Sequence, residues 1–535
     1  MSSFRVPAFK PWVPSQIHPW IYMFFALSFQ LSGGRYLGAL NAMIGEEQLM
    51  REDLLMALYC NLAGMALYFP ILFRMKFRFT NFTLLRAAAW GIIVTNLLIP
   101  YTNCLPLLWT LCFIEGVCKL QGTFECISSI QLWMTPTRDF RVFFPILHLF
   151  IMGSINVSSW LGVQFAFGFD DWRLTHFAIA GLMFFNLLAM HIMLRHFRFI
   201  PKTPLWGIDW VGMISWIAFL LQICYLLCYG DWMDWYSHPT TWVLTGTSLI
   251  TFGLILYGML IKPHAYISRK VFKFRHVVSI LVLITVFEAL LAAENVLEEI
   301  FFEECAHLSD LRGANRYLYV LAGSLSGCGF CYWWLKLRNW SHTRLGLVAT
   351  FSVLFYMVCM YFLIDPNVEL NQLWFPLVCR GFAATVMSIV LMVHLNYSMD
   401  FHTFFQGLSL FNIIHMAFGG CVGAAIYGEL FGDAVADSFA RYTPWLNAAT
   451  LTNSAEHISL LTAQFGEYME AFVAQMLLIG VRECYGWAIY ATLFLIALFL
   501  IYDMPARRYS QHRMLPWRRV GLKFFSPWLH RKTSA

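Results

Sequence analysis

The feature that most constrains this chain is a series of long apolar segments, which leave little of the sequence able to face water. A helix needs roughly 20 mainly apolar residues to cross about 30 Å of hydrocarbon, where it satisfies its own backbone hydrogen bonds. We predict fourteen such spans, at residues 20–43, 54–73, 84–100, 105–132, 142–168, 174–194, 209–229, 240–261, 277–297, 317–336, 345–364, 371–396, 404–430 and 478–502. The fold class is therefore an all-α polytopic membrane protein in a lipid bilayer.

The distribution of charge predicts the orientation of these spans. Of 535 residues, 59% are hydrophobic and 12% are charged, which is too few polar groups to cover a water-soluble surface. Lys and Arg concentrate in alternate connections and in the tail, whereas the opposite connections are acidic. Because cytoplasmic connections carry an excess of Lys and Arg, both termini are predicted to be cytoplasmic. The inner face of the bilayer explains the net charge of +6, and no nucleic-acid partner is predicted.

Basic connections divide the chain into blocks of six, two and six spans. The predicted units are a cytoplasmic N-terminus at 1–19, a six-helix bundle at 20–202, two linker spans at 203–262, a second six-helix bundle at 263–503 and a basic cytoplasmic tail at 504–535. Transporters are often built from repeated halves that meet at the substrate site. Residues 431–477 are predicted to form a long external loop, with an amphipathic helix from Ala455 onward.

Short motifs in spans 4, 7 and 13 resemble those of a known family. They comprise Gln121 and Gly122 in span 4, Asp209, Trp210 and Gly212 at the first linker span, and Asn412, Gly419, Gly420 and Gly423 in span 13. Their order and placement resemble the EmrB-like drug:proton antiporters, which form the fourteen-span branch of the major facilitator superfamily. The resemblance implies the major facilitator fold, in which two six-helix bundles are joined by two inserted linker spans.

The resemblance also implies a function, which is proton-coupled efflux of hydrophobic or amphipathic small molecules by alternating access. It implies a multi-pass protein of a prokaryotic inner membrane, with protons, a small-molecule substrate, a periplasmic membrane-fusion adaptor and an outer-membrane channel as expected partners. Span 1 has Gly33, Gly34 and Arg35 where the family has an acidic motif, and span 5 lacks the family's Gly-Pro pair. Import of a small solute is therefore an alternative, and a membrane-embedded transferase is a more remote one.

No motif of an ATP-driven pump, a zinc protease or an α/β hydrolase is present in the sequence. Neither an enzyme activity nor a cofactor or metal site is predicted. Cys328 and Cys331 form a C-x-x-C inside a predicted span, and we interpret them as small apolar residues in helix packing.

Ionisable side chains inside the predicted spans are the candidate functional residues. A charged group at the bilayer centre costs on the order of 3 kcal/mol, so such groups usually face a partner or a wet cavity. The candidates are Arg35, Glu115, Lys119, Glu288, Arg380 and His415. The resemblance places spans 1, 4, 9 and 12 around the central cavity, and these spans carry all the candidates except His415. We predict that this set binds substrate or exchanges protons.

Each candidate also has a structural interpretation. Glu115 and Lys119 are spaced i, i+4 and can form an ion pair that serves either transport or stability. Glu288 lies near the middle of span 9 without a cation within one helical turn, which suits proton exchange or a hydrogen-bonded interior carboxyl. His415 can titrate near neutral pH or simply be hydrogen-bonded. Arg35 can instead contact a headgroup or a carbonyl.

Other conspicuous residues are assigned structural roles. Asp209 is expected to begin a helix, because a carboxylate there faces the positive end of the helix dipole. Glycines four residues apart are expected to permit close helix contact, namely Gly419 with Gly423 and Gly323 with Gly327. Three acidic residues near the outer face are expected to be solvated or in loop contacts, namely Glu294, Glu298 and Glu299.

Overall fold

The computed structural model is almost entirely helical over the residues that it describes. These are residues 8–32, 42–44, 49–135, 139–197, 204–262, 264–274, 276–306, 308–443 and 458–501, and the side chains of 132, 134, 401, 402 and 458–468 are not described. Each of the fourteen predicted spans overlaps a helix. The length of the apolar runs therefore located the helices, although not all of their ends.

The helices are numbered in chain order. The first eight are α1 His18–Leu31, α2 Arg51–Arg78, α3 Asn81–Leu98, α4 Leu105–Met134, α5 Phe140–Gly168, α6 Arg173–Met193, α7 Trp210–Tyr229 and α8 Pro239–Ile261. The others are α9 Val277–Leu291, which continues through Ala293–Ile300, α10 Asn315–Tyr332, α11 His342–Leu363, α12 Trp374–Ser398, α13 Phe401–Ile413 with Gly419–Tyr442, and α14 Ile458–Ile501. A π-helical turn, Ile414–Phe418, joins the two parts of α13.

Twelve helices of the described chain are long and apolar enough to cross a membrane, which supports a multi-pass membrane protein. The remaining two are α1, of which the structure describes 14 residues, and α4, whose 30 residues include Glu115, Lys119 and Glu125. A count of fourteen crossings, and cytoplasmic termini, stay predictions.

The helices form two bundles that meet along two seams. Helices α1–α6 pack with one another, as do α9–α14. The bundles touch where α5 packs against α10 and where α2 packs against α13. At the second seam the Ser409 hydroxyl donates to the Ala66 carbonyl oxygen at 3.1 Å. Helix α7 packs on α8 and also on both α2 and α13, so that the linker hairpin covers this seam.

Glycines bring α9 and α13 into close contact, as their spacing predicts. A Cβ atom added at Gly419 would lie 2.6 Å from the Cβ of Glu288, and one at Gly423 would lie 2.5 Å from the Ala289 carbonyl oxygen. Both distances are shorter than side chains tolerate, so only glycine allows this approach. Gly323 packs in the same way on α12, where an added Cβ would lie 2.1 Å from the Val378 carbonyl oxygen.

Helix α13 extends into the predicted external loop at 431–477, because it continues to Tyr442. Helix α14 begins at Ile458, which agrees with the amphipathic helix predicted from Ala455 onward; residues 444–457 lie outside the described chain. The helical stretch Thr403–Tyr442 has 40 residues, which corresponds to about 60 Å of helix against about 30 Å of hydrocarbon. Asp433 and Asp437 reduced the hydropathy on which the loop prediction rested, although they do not interrupt a helix.

Candidate functional site

A carboxylate and an imidazole meet at the contact between α9 and α13. His415 Nδ1 lies 2.7 Å from Glu288 Oε1, and His415 Nε2 lies 3.5 Å from the Ser388 hydroxyl of α12. The two paired side chains are 13% and 12% exposed, so each is largely removed from solvent. The π-helical turn of α13 carries His415, and single π-helical turns inside α-helices are frequent at functional sites. The structure thus brings together two residues that the sequence suggested separately.

Arg380 of α12 is bound by carboxylates of α9. Its Nη1 atom lies 2.6 Å from Glu298 Oε2 and 3.2 Å from Glu294 Oε2. The Tyr356 hydroxyl donates to the same Glu298 carboxylate and lies 3.3 Å from the Tyr485 hydroxyl. This network lies within the second bundle and joins α9, α11, α12 and α14.

The three acidic residues expected to be solvated or in loop contacts all form ion pairs. The Glu298 side chain is 1% exposed and Glu294, which is 38% exposed, shares Arg380 with it. Glu299 pairs with Arg51 at the start of α2. The expectation is wrong for Glu298 because α9 continues to Ile300, beyond the predicted end of its span at 297, and Arg380 and Tyr356 hold the Glu298 carboxylate inside the bundle.

Glu115 of α4 is fully buried inside the first bundle. Its carboxylate accepts hydrogen bonds from the side-chain amides of Asn96 at 2.8 Å and Asn61 at 3.4 Å. Lys119 is buried one helical turn farther along α4. The amides of two neighbouring helices thus stabilise Glu115, and an ion pair with Lys119 stays a prediction.

The first bundle contains one buried ion pair that the sequence did not predict. Lys76 Nζ lies 3.3 Å from Glu125 Oε2, and Gln121 donates to the other carboxylate oxygen of Glu125 at 3.4 Å. Lys76 follows the predicted span 54–73, whereas α2 extends to Arg78 and keeps Lys76 buried. The i, i+4 spacing of Gln121 and Glu125 was the available signal.

Most residues that carry the family resemblance hold structural positions. Asp209 precedes α7 and accepts a hydrogen bond from the Gly212 amide at 3.0 Å, as expected of a residue that begins a helix. Its carboxylate also forms an ion pair with Lys262 Nζ at 2.5 Å.

The other residues of the resemblance differ in their surroundings. An added Cβ at Gly122 would lie 2.5 Å from the Phe29 ring. Trp210 is exposed, Asn412 is buried, and Gly420 has open space around it. Arg35 lies outside the described residues.

Polar contacts join the two bundles at both ends of the helices. At one end Asp139, which precedes α5, binds Lys336 at 2.7 Å, and Arg141 donates to Asn339 at 2.9 Å. Partial burial opposes the charge of Asp139, but hydrogen bonds from Arg141 and Lys336 outweigh it and lower its pKa to about 2.

At the opposite end of the helices, Arg51 of α2 binds the second bundle. It pairs with Glu299 of α9, and it also donates to the Asn295 carbonyl oxygen at 2.6 Å. The bundles are therefore in polar contact on both sides of the region that contains Glu288 and His415.

Comparison with solved structures identifies this arrangement. A mutant of the nucleoside transporter NupG superimposes with a TM-score of 0.56 at 11% identity, covering 91% of this chain and 99% of that chain. The unmutated NupG superimposes with a TM-score of 0.52 at 12% identity and covers the same shares of both chains. The chain has the major facilitator fold. The human organic anion transporter MFSD10 (TETRAN) also matches, with a TM-score of 0.50 at 9% identity, covering 90% of this chain and 98% of that chain.

No protein-family model matches this sequence, and no curated protein matches it either. At 9–12% identity the solved structures show the major facilitator fold and not a shared substrate. The finer resemblance to the EmrB-like branch stays a prediction.

Proposed function

We propose that this chain is a secondary active transporter of a small organic molecule and that proton binding at the Glu288 and His415 pair drives it. The observation that carries the proposal is the 2.7 Å contact of these two titratable groups inside the major facilitator fold. NupG and MFSD10, which share this fold, are transporters, and this supports the same general activity here.

The pair can couple proton binding to movement because its charge depends on its surroundings. An ionised Glu288 and a protonated His415 attract each other, so that the pair is neutral as a whole. Gain or loss of one proton leaves a net charge, which low-dielectric surroundings penalise more than water does. A state in which water reaches the pair therefore tolerates a protonation change that an enclosed state disfavours. Alternation between these states then moves a proton across the membrane.

The direction that the sequence resemblance favours is efflux of a hydrophobic or amphipathic molecule in exchange for protons. Import of a small solute is the second candidate, because span 5 lacks the Gly-Pro pair usual in the antiporters. Under the efflux proposal, the extensions of α13 and α14 beyond the bilayer are the surface that a periplasmic adaptor would contact.

The variant Glu288→Gln tests proton coupling in reconstituted vesicles. Gln keeps the volume and can still accept a hydrogen bond from His415, but it cannot release a proton. With ethidium and a nucleoside as trial substrates, the native protein should move protons when substrate is added, and the variant should not. An internal pH dye follows the protons. Glu483→Gln, which changes an exposed carboxyl of α14, is the matched control and should retain coupling.

Vesicles of both orientations test the direction. Ethidium uptake that needs an acidic interior in everted vesicles supports the antiporter, whereas nucleoside uptake with an acidic exterior in right-side-out vesicles supports the importer. Retention of native substrate-triggered proton movement by the Glu288→Gln protein would refute the coupling assignment for both directions.

A further inference from the structure

Helix α7 of the linker hairpin is attached to both bundles near its last turn. The Tyr229 hydroxyl donates to the buried Asp53 carboxylate of α2. On the other side, the indole of Trp235, just past α7, donates to Glu429 of α13. This end of the hairpin thus bridges the seam between α2 and α13.

A pair of cysteine thiols lies within this bridge. The Sγ atoms of Cys228 in α7 and Cys421 in α13 are 3.8 Å apart. The Cys421 thiol also lies 3.6 Å from the Cys224 carbonyl oxygen, which fixes the orientation of its side chain toward α7. A disulfide needs a sulfur separation of about 2.0 Å, so the sulfurs must approach by roughly 1.8 Å. Rotation of one side chain can supply much of this distance.

The two thiols differ in their access to small reagents. Cys421 is 1% exposed, whereas Cys228 is partly exposed and is the second-last residue of α7. The connection that follows α7 carries the exposed residues Asp231 and Asp234, so polar chain begins within one turn of Cys228. A small polar oxidant can therefore reach Cys228 first, with Cys421 placed behind it to complete the reaction.

We infer that Cys228 and Cys421 form a thiol oxidation site, at which a peroxide produces a disulfide that ties the linker hairpin to the second bundle. This inference goes beyond transport and does not depend on the identity of the substrate. By the predicted orientation the end of α7 lies at the external face, where oxidising conditions favour disulfides.

The reaction proceeds in two balanced steps. The Cys228 thiolate attacks one peroxide oxygen, the O–O bond breaks, and hydroxide leaves and takes up the thiol's proton as water, which gives a sulfenic acid. The Cys421 sulfur then attacks the sulfenic sulfur, the S–O bond breaks, and the hydroxyl group leaves as water with the second thiol proton. Overall two thiols lose two electrons and two protons, and one hydrogen peroxide becomes two waters.

The disulfide would restrain the seam that α7 covers. Because α7 already contacts α2 through Asp53 and Tyr229, a covalent bond to Cys421 would hold α2, α7 and α13 together. Backbone amides near both cysteines should then open less often. The cross-link should also raise the temperature of unfolding, because it constrains the unfolded chain.

The test treats the purified full-length protein in detergent with hydrogen peroxide and maps disulfides by mass spectrometry without reduction. The expected product is a linked peptide pair containing residues 228 and 421, which dithiothreitol separates. Cys228→Ser should abolish this product. Cys224→Ser is the matched control, one turn away on the same helix, and should retain it. Amide hydrogen exchange in residues 225–235 and 419–429 should slow when the native protein is oxidised. Oxidation of the Cys228→Ser protein should leave the exchange rates unchanged.

Several results would overturn the inference. One is the absence of the linked pair under peroxide when sulfenic acid or higher oxides accumulate on Cys228. Another is a linked pair that persists in Cys228→Ser, since Cys224 would then be the partner of Cys421. A confirmed disulfide with unchanged hydrogen exchange and unfolding temperature would refute the proposed restraint of the seam.

Discussion

Replacement of Arg380 by Met should destabilise the second bundle far more than loss of a surface charge. Arg380 and Glu298 are 5% and 1% exposed and 2.6 Å apart. Met retains most of the apolar volume of Arg but leaves the Glu298 carboxylate without its cation. Removal of one partner from a buried ion pair typically costs about 3–5 kcal/mol, mostly because the remaining charge is uncompensated. We expect a loss of unfolding free energy in this range at neutral pH.

The double variant Arg380→Met with Glu298→Gln separates this charge effect from packing. The introduced glutamine cannot be charged, and its amide can still accept the hydrogen bond from Tyr356, so the double variant should be more stable than Arg380→Met alone.

Equilibrium unfolding in mixed detergent micelles, followed by tryptophan fluorescence at neutral pH, measures the stability of all three proteins. The reasoning fails if Arg380→Met is as stable as the native protein at neutral pH. It also fails if the double variant is no more stable than Arg380→Met, since packing and not charge would then explain the loss.

Three smaller changes test other contacts. Gly419→Ala should lower the free energy of unfolding by about 1–3 kcal/mol, because its new Cβ would lie 2.6 Å from a side-chain carbon of α9. Gly420→Ala, which has open space around it, should not lower the unfolding midpoint. Lys336→Met should raise the pKa of Asp139 from about 2 toward its ordinary value, which infrared titration of the carboxyl can check. The lowered pKa of Asp139 in the native protein adds stability that is lost as pH falls. The variant lacks part of this stability, so its acid unfolding should begin at a higher pH. Lys262→Met should lower the free energy of thermal unfolding by less than about 1 kcal/mol, because the Lys262 side chain in its ion pair with Asp209 is 35% exposed.

Local pattern was sufficient to locate the helices. The predicted spans 142–168 and 240–261 correspond to Phe140–Gly168 and Pro239–Ile261, since apolar length and helix length coincide where a helix ends at the membrane surface. At α13 the helix is longer than its apolar segment, because a helix needs backbone hydrogen bonds but does not need hydrocarbon around it. Hydropathy therefore ended this helix too early.

Pairing between distant helices could not be predicted in the same way. Glu288 and His415 were each selected from their own spans, but 127 residues separate them in sequence, and the close packing of α9 on α13 brings them together. Arg380 was likewise selected without its partners. Glu298 was misjudged because its partners lie on α11 and α12, which no spacing within α9 reveals.

The attachment of α7 to both bundles also has a consequence for the order of events during synthesis. Asp53 precedes Tyr229 by 176 residues, so α2 is already in place when α7 emerges, whereas Glu429 follows Trp235 by 194 residues. At roughly 5–20 residues per second, the ribosome needs about 10–40 s to supply that partner. During this interval α7 can rest on α2 while the side that will meet α13 has no protein neighbour. A nascent chain stalled before α13 should therefore display the hairpin half-docked, and be the form most open to capture by the membrane's quality-control proteases.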